Sequence, residues 1–216
     1  DTEDKIKSDH QDPMIRVASI GVSGEKGVKY ACVVNDYHRA AGRSGVGTVM
    51  GSKNLKAVAI RGTKGVTVKD PVRFFEAANA GKAVLAGNPV TGEGLPTFGT
   101  QVLMNVINET GALPSQNHRD VQFDGAHAIS AEAMAEPRES DGKPNLVRNA
   151  ACFGCTIACG RISTIDRTHY TVAERPEYQV ASGGLEYEAA WALGAATGVD
   201  DLDALTFANF ICNEQG

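Results

Sequence analysis

The 216-residue chain is 42% hydrophobic and 22% charged, so it can bury one or two real cores and reads as a soluble globular protein. A formal charge of −5 argues against nucleic acid as a partner, no apolar run nears the ~20 residues of a membrane span, and the polar start 1–13 is no signal peptide. Five cysteines are too few for a disulfide scaffold, and the clustering of three of them implies a metal in a reducing, cytoplasmic compartment.

Taken in order, residues 1–13 form a lead-in, and Ile15–Ile20 alternates as a strand should. Gly21–Gly27 is a turn, and Val28–Val34 a second β-rich run. Asn35–Gly51 follows, with Gly42, Gly45, Gly47 and Gly51 among Arg39, Arg43 and Lys53. Glycines that allow close backbone approach, beside guanidinium groups, suit a phosphate or other anionic cofactor tail. The spacing is neither a Walker loop nor a Rossmann fingerprint, and a purely turn-forming loop is the plain alternative. His38 reads as a structural histidine. Leu55–Arg61 is a further strand.

The pattern turns helical at Asp70–Pro71, an N-cap followed by proline at the first helical position. Phe74, Phe75, Ala78 and Val84 predict an amphipathic helix. The fold class is therefore α+β, with a boundary near residue 65: a β-rich domain over 1–65 and a mainly helical one over 66–216. Residues 88–100 read as a loop, 100–110 as a helix with Val102, Leu103, Val106 and Ile107 on one face, and 113–125 as irregular. Ser130 caps a short helix. Residues 164–184 read as solvated loop, with Asp166, His169, Glu174 and Glu177 as scattered charges. Residues 185–194 and 202–213 are helices. On the first, Glu186 and Glu188 are two apart and face different ways; by position alone both read as surface groups.

The most informative stretch is Cys152-Phe153-Gly154-Cys155-Thr156-Ile157-Ala158-Cys159, spaced C-x2-C-x3-C. Thiolates this close suit an iron–sulfur cluster, with Cys152, Cys155 and Cys159 as ligands and a fourth from elsewhere. Zinc is the second reading and three small buried residues the third.

Together these segments resemble the tungsten-dependent aldehyde ferredoxin oxidoreductase family. The likeness rests on Asn35–Ala57, on Gly94-Leu95-Pro96-Thr97-Phe98-Gly99-Thr100, on the three cysteines followed by Gly160-Arg161, and on Glu186-Tyr187-Glu188 with Trp191-Ala192-Leu193-Gly194. The resemblance implies a tungsten (or molybdenum) bis-pyranopterin, a magnesium ion and a [4Fe–4S] cluster. It places Arg39, Ala40, Gly42 and Arg43 at the pterin phosphates and magnesium, the Ala40 carbonyl being a magnesium ligand. It places Cys152, Cys155 and Cys159 on the cluster, and Glu188 beside the metal as proton acceptor. Asn213 stands where the family carries the aspartate of a pterin-binding D-x-x-G-L motif. Phe207 stands where some members carry a subunit-bridging metal ligand, and the 161–184 segment is longer than in archetypal members. Cys212 reads as a core residue and not the fourth ligand, which is expected beyond Gly216. Without an initiator Met, the chain reads as the middle of a larger enzyme. The implied reaction is oxidation of a small aldehyde to a carboxylate, with electrons passed to ferredoxin or an electron-transfer subunit in an oligomeric enzyme. The alternatives are a related aromatic-ring (aryl-CoA) reductase and a non-catalytic iron–sulfur electron carrier.

Overall fold

A computed structural model describes residues 2–216. They fall into two compact units, one running to Thr67 and including Ile211–Gly216, the other Val68–Phe210.

The first unit runs α1 (Thr2–Asp9), β1 (Arg16–Ser19), α2 (Val22–Glu25), β2 (Val33–Asn35), β3 (Arg39–Ala41), α3 (Val46–Ser52) and β4 (Ala57–Ile60). Its sheet has the order β3-β2-β1-β4, antiparallel throughout. Val17 and Val34 are buried, as expected for alternating strands with one face on a core. The predicted turn after β1 contains the short helix α2. The predicted strand over 28–34 shrinks to Val33–Asn35, because a turn closed by the Ala31 N–H on the Val28 carbonyl occupies its first half. Strands β2 and β3 form a hairpin pairing Asn35 with Arg39, and its loop places Asp36 and Tyr37 at φ 49° and 65°. The sequence shows this loop only weakly, since glycine is the usual left-handed residue.

The glycines that read as a ligand-approach loop mostly do a different job. A Cβ on Gly47 would overlap the Cys32 carbonyl, one on Gly51 the Gly24 carbonyl, and one on Gly45 the Lys29 carbonyl. They let α3 pack backbone-to-backbone against α2 and the chain before β2. Gly42 alone is open, its nearest neighbour being the Ala40 methyl at 4.0 Å.

The second unit begins with α4 (Pro71–Gly87), where the Asp70 carboxylate accepts the Arg73 N–H at 3.1 Å. Cap and proline are as expected, but the predicted buried face is absent: no residue of α4 is buried, and Phe74 and Phe75 meet only edge-on at 6.0 Å. After a π-turn over Val90–Gly94 come α5 (Leu95–Phe98), a 3-10 turn (Gly99–Val102) and α6 (Leu103–Glu109), where a loop was expected up to residue 100. On α6 the buried residue is Met104, while Leu103 and Val106 are exposed. The tight turn ahead of α6 rotates its inward face away from the predicted one.

The helix α7 (Ala131–Ala135) is capped as predicted, the Ser130 hydroxyl accepting the Ala133 N–H. Three unpredicted strands follow, β5 (Leu146–Ala150), β6 (Gly160–Ser163) and β7 (Ser182–Gly183), in one antiparallel sheet. Then come α8 (Tyr187–Ala190), continued by a π-turn over Trp191–Ala195, and α9 (Leu202–Gln215). The core gathers Met104, Leu113, Ile129, Met134, Leu185 and Leu205.

The 164–184 segment is more ordered than its polar composition implies. Ile165 and Val172 are buried with Phe210, and Phe207 lies edge-on to Tyr178 at 5.2 Å with the Arg175 guanidinium over its ring. The Asp166 carboxylate accepts from Ser140 and Thr168, and the Ser140 bond first among causes pulls its pKa down to about 2. His169 Nε2 lies 3.1 Å from the Asp201 carboxylate. Cys212 is exposed, not a core residue as predicted. It lies on the last turn of α9, which belongs to the first unit, where the Gly216 carbonyl accepts the Cys32 N–H at 3.2 Å.

Gly51→Ala puts a methyl into a backbone carbonyl that cannot rotate away, and should destabilise the protein by about 1–3 kcal/mol. Gly42→Ala should leave stability within about 0.5 kcal/mol. Urea-unfolding midpoints followed by circular dichroism check the contrast.

Candidate functional site

The cysteine stretch is the loop of a β-hairpin. β5 and β6 pair antiparallel with Ala150 opposite Gly160, so residues 151–159 are closed at their base by a sheet. Within the loop the Cys155 N–H donates to the Cys152 carbonyl at 3.0 Å, and the Ile157 N–H points at the Cys155 sulfur at 3.4 Å. Gly154 and Ala158 take φ of 70° and 54°, the left-handed conformations that curl a chain this tightly. Cys152 and Cys155 are exposed and Cys159 half-buried, which overturns the reading of three buried small residues. Among the described residues no three His, Cys, Asp or Glu side chains converge closely enough to hold a metal. The three sulfurs thus share one loop without meeting at a point. As donors they fit an iron–sulfur cluster: they are soft thiolates, and one sulfur already receives a backbone N–H of the kind cluster sulfurs accept.

Behind this hairpin lies Arg161, on β6 and only 2% exposed. Its Nη1 donates to the Asn149 side-chain oxygen at 2.5 Å and its Nη2 to the Thr97 carbonyl at 3.0 Å. Asn149 in turn donates to the Pro96 carbonyl. The guanidinium fills the space a side chain on Gly99 would take, at a glycine with φ 61°. One residue on, the Thr100 hydroxyl donates to the Glu186 carboxylate at 2.6 Å and accepts the Tyr187 N–H at 3.0 Å. The 96–100 segment thereby ties the cysteine hairpin to the first turn of α8. Glu186 is half-buried at the N-cap of α8, whereas Glu188 is exposed, so the two glutamates do face different ways. Burial raises the Tyr187 phenol pKa, and the Glu188 charge adds to it. Burial lowers that of Arg161, against the charges of Glu186 and Cys159.

The anion-loop candidates lie in the first unit. Arg39 and Ala40 are on β3, an edge strand whose outer backbone groups have no strand partner. Ala40, Gly42 and Arg43 are exposed and Arg39 is half-buried. No ion pair or side-chain hydrogen bond engages Arg39 or Arg43 among the described residues, so both cations fit an incoming anion. Asn213 lies on the last turn of α9 in the same unit, half-buried.

Comparison with known proteins decides the family. The model of "Aldehyde ferredoxin oxidoreductase, domains 2 & 3" matches residues 76–216, and that of the N-terminal domain of the same family matches residues 1–62. This chain belongs to the aldehyde ferredoxin oxidoreductase family. It is 43% identical over all 216 residues to a tungsten-containing aldehyde ferredoxin oxidoreductase of Pyrococcus furiosus, of which it spans 33% of the length. It is also similar to an aliphatic sulfonate oxidoreductase WOR-like subunit of the same organism, 41% identical over 61 residues, 28% of this chain and 10% of that one. Among solved structures, the active-site complex BamBC of benzoyl coenzyme A reductase superposes with a TM-score of 0.72 at 23% identity, covering this whole chain and 31% of that one, a likeness of fold. No helix among the described residues is long and apolar enough to cross a membrane.

The groups that no motif in the sequence singles out are Thr100, Asn149 and the role of Arg161. Their partners lie 12 to 87 residues away in sequence, and no local pattern marks them. Thr100→Val removes a hydroxyl that serves two groups and should cost about 1–3 kcal/mol, whereas Thr100→Ser should restore most of it. Thermal unfolding of the two variants checks this.

Proposed function

We propose that this chain is part of a cytoplasmic tungsten- or molybdenum-dependent oxidoreductase that converts aldehydes to carboxylates. What carries the reading is the shared anchor in the second unit: the 96–100 segment bonds both the hairpin bearing Cys152, Cys155 and Cys159 and the helix bearing Glu188. An electron-accepting group and a proton-accepting group held by one rigid segment suit a reaction that removes two electrons and a proton from one carbon. The bis-pyranopterin metal, when bound, supplies the two-electron chemistry.

The remaining roles fall to the chain itself. Cys152, Cys155 and Cys159 would hold the [4Fe–4S] cluster, with the Ile157 N–H easing charge on one sulfur. Glu188, exposed on α8, would take the proton that the hydrated aldehyde carbon releases. Glu186 and Thr100 fix the helix from which it projects. Arg39 and Arg43 would pair with pterin phosphates while Gly42 leaves room for them, and the Ala40 carbonyl on the sheet edge would serve magnesium. Asn213 would hydrogen-bond a pterin. Electrons would leave to ferredoxin or an electron-transfer subunit, in an oligomeric enzyme.

The 43% identity to aldehyde enzymes across the whole chain favours this over ring reduction, for which the benzoyl-CoA reductase likeness supports the fold alone. A bare electron carrier would leave the unpaired arginines and Glu188 without use.

In the complete polypeptide, Cys155→Ser should lose iron and the broad visible absorbance; unchanged iron content would remove the cluster assignment. Glu188→Gln should keep its iron and lower aldehyde turnover about 10²–10⁴-fold, the usual contribution of a general base. Full turnover in that variant would leave the carboxylate no part in the reaction.

A further inference from the structure

We propose that Arg161 is a positioning residue whose buried positive charge raises the reduction potential of the cluster held by the cysteine hairpin. The inference rests on the reading of that hairpin as a cluster loop, and it concerns the charge of a residue which that reading uses only as a crosslink to Thr97.

Three observations carry it. The guanidinium is 2% exposed, so water does not screen its charge. Its hydrogen bonds go to two neutral acceptors, the Asn149 amide oxygen and the Thr97 carbonyl, and its Nε–H is buried with no acceptor. No carboxylate forms a salt bridge with it among the described residues. A buried cation in this state is costly unless an anion nearby offsets it. Cys159, one of the three candidate ligands, lies two residues before it, and its carbonyl and the guanidinium flank the same point beside Gly99.

The position follows from the strand. Arg161, on β6, is two residues past Cys159, and the Cys159 carbonyl and the guanidinium both occupy the space that a side chain on Gly99 would take. The side chain therefore lies against the base of the cysteine loop, on its protein side. Reduction of a thiolate-bound cluster adds one electron and one negative charge to a group already anionic, with no bond made or broken. A fixed buried cation beside the loop stabilises the reduced form more than the oxidised one, which raises the potential. A neutral residue could supply a crosslink to Thr97 and Asn149, but not this bias.

The test is an anaerobic redox titration of the complete polypeptide with dithionite, followed by electron paramagnetic resonance of the reduced cluster, with iron content measured alongside. Arg161→Met should shift the midpoint to more negative potential at unchanged iron content, and Arg161→Lys should recover most of the shift. Asn149→Asp keeps the arginine and sets a carboxylate against Nη1, and should shift the midpoint in the same negative direction even if Arg161→Met fails to fold. Wild-type midpoints in iron-replete Arg161→Met or Asn149→Asp would overturn the inference while leaving the cluster in place. A wild-type protein with no iron–sulfur signal would overturn the cluster reading and this inference with it.

Discussion

The pairing of Ala150 with Gly160 is the constraint on which the candidate site depends. It turns a flexible run of small residues into a closed loop, with three thiols at defined places along it. A loop of this length would sample many conformations if its ends were free, and the sheet beneath it removes most of that entropy. The same strand pair orients Arg161 and Asn149 inward, where they meet the 96–100 segment. The cysteines, the buried cation and the start of α8 are thus consequences of one sheet and one crossing segment.

The first unit solves a different problem by a different means. It packs α3 against α2 and the chain before β2 through Gly45, Gly47 and Gly51, so that backbone meets backbone. This leaves the edge strand β3 with the half-buried Arg39, and the exposed Arg43 just after it, outside the packed layer, and no ion pair or side-chain hydrogen bond engages either arginine among the described residues. A basic edge of this kind stays soluble and resists pairing with another strand while remaining open to an anion. Glycine content in this stretch therefore reports backbone packing at Gly45, Gly47 and Gly51, and open space at Gly42.

The 164–184 segment shows how polar composition can conceal order. Its charges are held locally, Asp166 by Ser140 and Thr168 and His169 by Asp201, over a small apolar cluster of Ile165, Val172 and Phe210. Phe207 belongs to this packing through Tyr178 and Arg175. An aromatic at that position is explained by the segment above it.

The sequence by itself determined what depends on neighbours along the chain. The Asp70–Pro71 and Ser130 helix starts, the strands around Val17 and Ala57–Ile60, the C-x2-C-x3-C spacing and the opposite facing of Glu186 and Glu188 were all legible, because caps, alternation and spacing act over a few residues. The family was legible too, because several short motifs occur in one order. Only the tertiary structure decided which apolar faces are buried, since α4 has no packed face and α6 turns Met104 inward. It also decided that the cysteines sit on a hairpin, that most of the glycines serve packing, that Cys212 faces solvent, and that Arg161 is a buried cation bound by neutral acceptors. Each of these depends on groups far apart in sequence being brought within bonding distance, and no local pattern encodes that.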